Sequence, residues 1–287
     1  MKCPSCGFDF DREKNLVLGV AAKCPSCGKF IMDIEVSGSD YKENPEAAMR
    51  AYELMAANGN PSAQYNLGLI YAEAGDDVEA AKWFGQSAKH GHARAQCAYA
   101  YMLSEGRGGL KKNKKKAFEW YLMSAEQGDD RAQCNLGNIY SAGDGVRKDK
   151  FEAVKWFRMS AENGNCIAMF NLATMYDTGE GVDKDIAEAM KWYKAAAEQG
   201  LPQAQFNLGM IYVNGDGVPE DAEEAFKWLM MAAEQDYADA QYCISCLYYE
   251  GRGVEQDVEE SFKWLYLAGM KGHPEAMKAL RSVKFSN

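Results

Sequence analysis

Cys3, Cys6, Cys24 and Cys27 crowd the start of the chain in a spacing that suits metal ligands. The pentapeptide Cys-Pro-Ser-Cys-Gly occurs twice, at 3–7 and 24–28, with 17 residues between Cys6 and Cys24. Two residues between cysteines let both sulfurs meet one ion, and the following glycine permits the positive φ of the tight turn. Four thiolates then close a tetrahedral site around one structural zinc ion, with no position left open for a substrate water. In zinc-finger peptides the metal supplies roughly 10–16 kcal/mol of folding free energy, and a segment of about forty residues has too small a core to fold otherwise. Residues 8–11, 16–20 and 30–36 mix apolar and polar side chains as strands do. The expectation is a small β zinc ribbon.

The remaining reactive residues form no comparable constellation. Cys243-Ile244-Ser245-Cys246 places two thiols on one helix face at i and i+3. A redox or metal role there competes with ordinary packing, and packing is favoured because both cysteines stand where sister segments carry small or apolar residues. Five cations, Lys111, Lys112, Lys114, Lys115 and Lys116, surround an expected helix start, where the dipole disfavours them. A solvated loop is the preferred reading, with an anion, phospholipid or nucleic-acid contact as the other. Only three histidines exist, His90, His92 and His273. No Gly-x-Ser-x-Gly elbow, phosphate loop or His-Glu-x-x-His helix occurs, so no enzyme activity is expected.

Composition narrows the classes further. Thirty-two Lys plus Arg against 42 Asp plus Glu give a net charge of −10, which argues against a general nucleic-acid binder. Apolar residues at 47% and charged residues at 26% are ordinary for a folded soluble protein. Apolar stretches such as 16–22 fall far short of the ~20 residues a membrane span needs. The start carries no apolar signal core, and the cysteines outside the first 27 residues are scattered. A cytoplasmic location with free thiols is expected.

The elements that must position any site come from an internal repeat. All six tryptophans, Trp83, Trp120, Trp156, Trp192, Trp228 and Trp264, share one register, spaced by 37 and then four times by 36. Seven residues before each stands Asp76, Asn113, Asp149, Asp185, Asp221 or Asp257. Three residues after that comes a glutamate in five of the six copies, with Lys116 in the other. This predicts a capping box that starts a helix, termed B, and contributes ~1 kcal/mol per cap. Eight residues after the tryptophan a glycine ends helix B, with Asp236 the one exception. A helix A then shows its core at i, i+4, i+7 and i+8, as in Ala63, Leu67, Ile70 and Tyr71. The first copy has 32 residues and the second 37, both changes falling in the A-to-B turn. The recurring tryptophan is expected in the core.

The segments Ala-Gln-Tyr-Asn-Leu-Gly at 63–68 and Ala-Gln-Phe-Asn-Leu-Gly at 204–209 resemble the Sel-1-like repeat family, relatives of tetratricopeptide repeats, over about residues 45 to 284. The resemblance implies an all-α solenoid, an α/α superhelix, with the β zinc ribbon before it. Residues 1–40 are assigned to ribbon and linker, and 41–287 to a front capping helix, six helix pairs and a C-terminal capping helix. Arg281 stands where other copies carry a small residue such as Gly68 or Gly137, as suits a polar solenoid end. The ribbon itself is similar to short two-knuckle ribbons at the N-termini of many prokaryotic regulatory and membrane-associated proteins.

In repeats of this kind the far side of helix A lines a concave groove. That implies a stripe of Tyr65, Cys97, Cys134, Phe170, Phe206 and Tyr242, with a neighbouring stripe of Leu69, Tyr101, Asn138, Thr174, Met210 and Cys246. Rigid aromatics beside adaptable polar groups suit a peptide or protein surface, although neighbouring repeats could equally cover the rings. Asn66, Asn135, Asn171 and Asn207 form a ladder of poor helix formers. Either bonds to the neighbouring helix backbone or contacts to a bound peptide backbone would account for it. The expected function is a non-enzymatic scaffold or adaptor binding protein partners in the groove, with the ribbon as a second docking module. The alternative is a regulator whose ribbon contacts nucleic acid, aided by Lys111 to Lys116.

Overall fold

The computed structural model describes residues 45–282, all in helices and the turns between them, with no strand among the described residues. Cys3, Cys6, Cys24 and Cys27, and the ribbon expected around them, lie outside those residues. The helices run α1 Pro45–Ala57, α2 Pro61–Glu73, α3 Asp77–Lys89, α4 Ala93–Glu105, α5 Lys114–Glu126, α6 Asp130–Ala142 and α7 Lys150–Glu162. They continue as α8 Cys166–Thr178, α9 Ile186–Glu198, α10 Pro202–Asn214, α11 Ala222–Ala233, α12 Ala238–Glu250, α13 Val258–Met270 and α14 Pro274–Ser282. Helices A are the even-numbered members α2 to α12, helices B the odd-numbered members α3 to α13, with α1 before and α14 after. The chain divides into two compact units. The first runs to Leu136 and includes Asp144–Val146, and the second comprises Gly137–Gly143 and residues from Arg147 onward.

Helix B begins where the expected caps stand: Asp76, Asn113, Asp185, Asp221 and Asp257 each accept from the backbone N–H three residues on, at 2.9–3.1 Å. Only half of each capping box forms. The cap's own N–H donates instead to a carbonyl of the preceding helix A, as from Asp76 to Tyr71, Asp149 to Tyr140, Asp221 to Tyr212 and Asp257 to Tyr248. The glutamate, with no donor to reach back to, pairs with a lysine one turn on, as in Glu79–Lys82 at 2.8 Å and Glu224–Lys227 at 2.9 Å. Asp236 is the one residue other than glycine with positive φ among the described residues, at 65°, and it ends helix B as expected.

Each core packs small residues of both helices around large apolar side chains that recur in register. Leu67, Leu136, Leu172, Leu208 and Ile244 of helix A are essentially inaccessible, as are Ala80, Ala117, Ala153, Ala189 and Ala225 of helix B. The large helix B residue is the one after the tryptophan: Phe84, Tyr121, Phe157, Tyr193 and Leu229 are buried. Phe84 fills the space that a Cβ would take at Gly68, and Phe157 does the same at Gly137. The tryptophans are corrected to half-buried positions. One residue of offset on a helix is a 100° turn, enough to move a ring from the core to its margin.

The A-to-B turn rests on the start of the preceding helix B. Gly253 has φ of 70° and lies so close to the Ala222 carbonyl that a Cβ there would overlap it. Ion pairs flank these approaches within each unit: Arg107–Asp77 at 2.8 Å in the first, Lys150–Glu180 and Arg252–Glu220 in the second. Arg281 at the end of α14 is exposed, as a polar cap requires.

Candidate functional site

Buried glutamines set the distance between one helix B and the next helix A. Gln64, Gln96, Gln133, Gln205 and Gln241 are all nearly inaccessible. Each donates its side-chain N–H to the carbonyl eight residues back, at Ala56, Ala88, Ala125, Ala197 and Ala233, at 3.1–3.3 Å. Two of their Oε1 atoms accept from an amide at the end of the following helix B: from Gln127 to Gln96 at 2.7 Å, and from Gln235 to Gln205 at 2.8 Å. At Gln241 the equivalent position holds Lys271, which pairs with Asp236 at 3.0 Å, and Gln241 Oε1 is buried without a partner. The fourth repeat substitutes Met169, whose sulfur lies 3.5 Å from Gln199 Nε2. The Ala-Gln pair recurring in one register was the available signal for this role.

At three points the residue at the start of one helix A or of α14 covers the stripe residue of the helix A before it. His92 Nδ1 accepts from Ala95 N–H at 3.2 Å, and its ring stacks on Tyr65 with centroids 4.8 Å apart. His273 does the same for Ala276 and Tyr242, stacking at 4.5 Å, and Tyr237 lies against Phe206 at 5.3 Å. Burial, then Arg94, hold His92 below the usual imidazole range against the opposing pull of Asp129. The neutral ring that a cap acceptor requires is therefore favoured.

The stripe is thus sunk into the surface. Tyr65 is 8% exposed, Cys97 and Cys134 are buried, and Phe170, Phe206 and Tyr242 are half-buried. The neighbouring positions stand out further, with Leu69 38% and Tyr101 47% exposed in the first unit. In the second unit Asn138 is exposed, and Met210 is half-buried with its sulfur 3.8 Å from Cys243. The asparagine ladder bonds side chains rather than neighbouring backbone. Asn135 donates toward Cys97 Sγ at 3.8 Å, and Asn171 donates to Asn138 at 3.3 Å. Asn66 lines an open depression of about 310 Å³ with Ser62, Tyr65, His92, Ala93 and Arg94.

The described cysteines are free thiols. Burial first, then Asp129, pushes the Cys97 thiol up to about 12, and burial followed by Cys246 does the same for Cys243. Burial also raises Cys246. Protonated thiols are poor nucleophiles and poor ligands. Among the described residues no group of three or more His, Cys, Asp or Glu is arranged to hold a metal ion. The lysines at 111–116 are exposed; Lys114 pairs with Asp144, and Lys112 lies 3.8 Å from Glu105. No described helix is long and apolar enough to cross a membrane.

Comparison with known proteins places this architecture. The Sel1 repeat description matches six consecutive segments, residues 61–92, 93–129, 130–165, 166–201, 202–237 and 238–273. A solved structure from uropathogenic Escherichia coli, c5321, a protective antigen displaying an SLR fold, is 33% identical with a TM-score of 0.73, over 83% of this chain and 52% of that one. This chain therefore spans about half the length of c5321. A Sel1 repeat protein from Oxalobacter formigenes is 32% identical with a TM-score of 0.70, over 77% of this chain and 87% of that one. No curated protein matches the chain. Six matched repeats forming a solenoid of paired helices make this chain a member of the Sel1 repeat family.

Proposed function

We propose that the protein is a non-enzymatic adaptor that binds protein or peptide partners on the exposed face of its helices A. Sel1 repeat proteins are in general scaffolds for protein partners, which supports the class of the reading. The observation that carries it here is the pairing of exposed Leu69 and Tyr101 with sunken rings and side-chain amides on the same face. A rigid apolar anchor amid adaptable hydrogen-bonding groups is the composition of protein-binding surfaces.

The test is capture from an extract of the source cells with wild type and an L69S/Y101S variant of equal Tm. A protein retained by wild type and lost by the variant is expected. Equal recovery would move the binding site off this face.

The N-terminal segment adds a structural zinc ribbon in this reading, held by Cys3, Cys6, Cys24 and Cys27, and supported by the duplicated Cys-Pro-Ser-Cys-Gly turn. Elemental analysis of the purified full chain is expected to find one zinc per molecule, absent from a C3S/C6S variant. A metal-free wild type purified without chelator would remove the ribbon. Five free thiols elsewhere suit a reducing, cytoplasmic setting.

A further inference from the structure

We infer that the first unit selects acidic segments of its partner through Arg94 and Arg131, an inference that rests on the binding face proposed above. Ser62, Arg94 and Arg131 hold equivalent positions at the start of three successive helices A, α2, α4 and α6, and all three are exposed. Arg94 lines the depression that also contains Ser62, Tyr65, Asn66 and His92. Arg131 reaches the same place from α6, its Nη2 lying 3.4 Å from the Tyr65 hydroxyl. No carboxylate lines the depression. The carboxylate beside Arg131, Asp129, is buried and accepts from the Ala132 N–H as the cap of α6.

Two guanidinium groups, a hydroxyl and an amide therefore stand at a depression that no carboxylate lines, with the buried Asp129 acting on Arg131 and His92 as a partial counter-charge, in a chain of net charge −10. Guanidinium groups match carboxylates with paired N–H donors. The starts of α4 and α6 add their partial positive charge. The contrast with the second unit is internal evidence. The same helix A position there holds Ile167, Gln203 and Asp239, so the cationic character is confined to the first unit. Farther along the same helices Glu73 and Glu105 are exposed, giving this face a positive and a negative end. Leu69 and Tyr101 lie between them. An extended segment with acidic side chains followed by an apolar one matches that order. A nucleic acid backbone would meet two cations on an otherwise acidic molecule, which gives too few phosphate contacts for binding.

The experiment is selection of a random peptide display library on the full chain. Selected peptides are then synthesised and titrated against wild type, R94E/R131E, the milder R94Q/R131Q, and L69S/Y101S, each first matched in Tm and far-UV circular dichroism. The expected result is enrichment in Asp and Glu, with about tenfold weaker binding to either arginine variant. Affinity should also fall between ~50 and ~500 mM NaCl, with competition by poly-L-glutamate. Peptides without acidic bias that bind the arginine variants normally but lose L69S/Y101S would overturn this inference and leave the binding face intact. Selection of no peptide would overturn both. Stronger competition by single-stranded DNA than by poly-L-glutamate would replace the acidic peptide with a nucleic acid.

Discussion

Gly253→Ala and Gly272→Ala isolate what the A-to-B turn demands of its second glycine. Both glycines are left-handed, with φ of 70° and 89°. A Cβ in that region costs ~1–2 kcal/mol, offset by ~0.4–1 kcal/mol from the reduced freedom of the unfolded chain. At Gly272 nothing lies within 4 Å of the added carbon, so the loss should be about 1 kcal/mol on these terms. At Gly253 the carbon would overlap the Ala222 carbonyl oxygen and carbon and the Glu223 nitrogen. These are backbone atoms in the first turn of α11, and no rotamer change moves them aside. The turn must lift away, which loosens the Arg252–Glu220 pair with it. Overpacking of this kind adds ~1–3 kcal/mol, for a total of roughly 2–4 kcal/mol. Urea unfolding followed by circular dichroism at 222 nm would measure both variants. Losses equal within ~0.5 kcal/mol would refute the close approach and leave backbone handedness as the sole reason for the glycine.

Gln205→Ala should cost ~2–4 kcal/mol, since it removes the buried bonds to Ala197 and Gln235 and leaves a cavity. Gln205→Met should cost less, as Met169 fills that place in the fourth repeat, and Gln241→Met least of all, because Gln241 Oε1 has no partner to lose; the reverse order in urea titrations would count against the clamp. Phe157→Ala should lose ~3–5 kcal/mol and Trp156→Ala clearly less, because Phe157 is buried and Trp156 half-buried; a larger loss at the tryptophan would restore it to the core. Cys97 and Cys243, raised from an ordinary 9.0 to about 12, should resist iodoacetamide at pH 8 in the folded chain and react in denaturant, as read by peptide mass spectrometry. The unfolded thiols ionise first as pH rises, so their contribution to stability falls between about 9 and 12, and identical stability changes over that window in wild type and C97S/C243S would contradict the shift. His92, held low by burial, favours the fold above the ordinary 6.5 and loses that contribution on acidification, while His92→Asn keeps the cap without the titration; identical acid profiles for the two chains would exclude His92 as the source.

The features legible in the sequence were those governed by near neighbours along the chain. The six-fold register, the Asp and Asn caps of helix B, the left-handed Asp236 and the polar Arg281 are examples. Each depends on a turn of backbone or on hydrogen bonds three or four residues long. The candidate face was legible as a register and not as a surface: Tyr65 shares its stripe with Phe170 and Tyr242, yet only the structure shows that His92 and His273 cover the rings. A capping box would have the glutamate three residues after each cap reach back to the cap N–H. The tyrosine carbonyl that takes the cap N–H belongs to another helix, so the outcome depended on how closely the two helices pack.

By itself, then, the sequence determined the repeat and its helix ends, because periodicity and capping are properties of the local chain. Tertiary structure alone decided that the tryptophans sit at the core margin, that glutamines bond across helices and that Arg94 and Arg131 converge on Tyr65. Those outcomes depend on distances between side chains some 8 to 66 residues apart. Such distances are fixed only when helices pack.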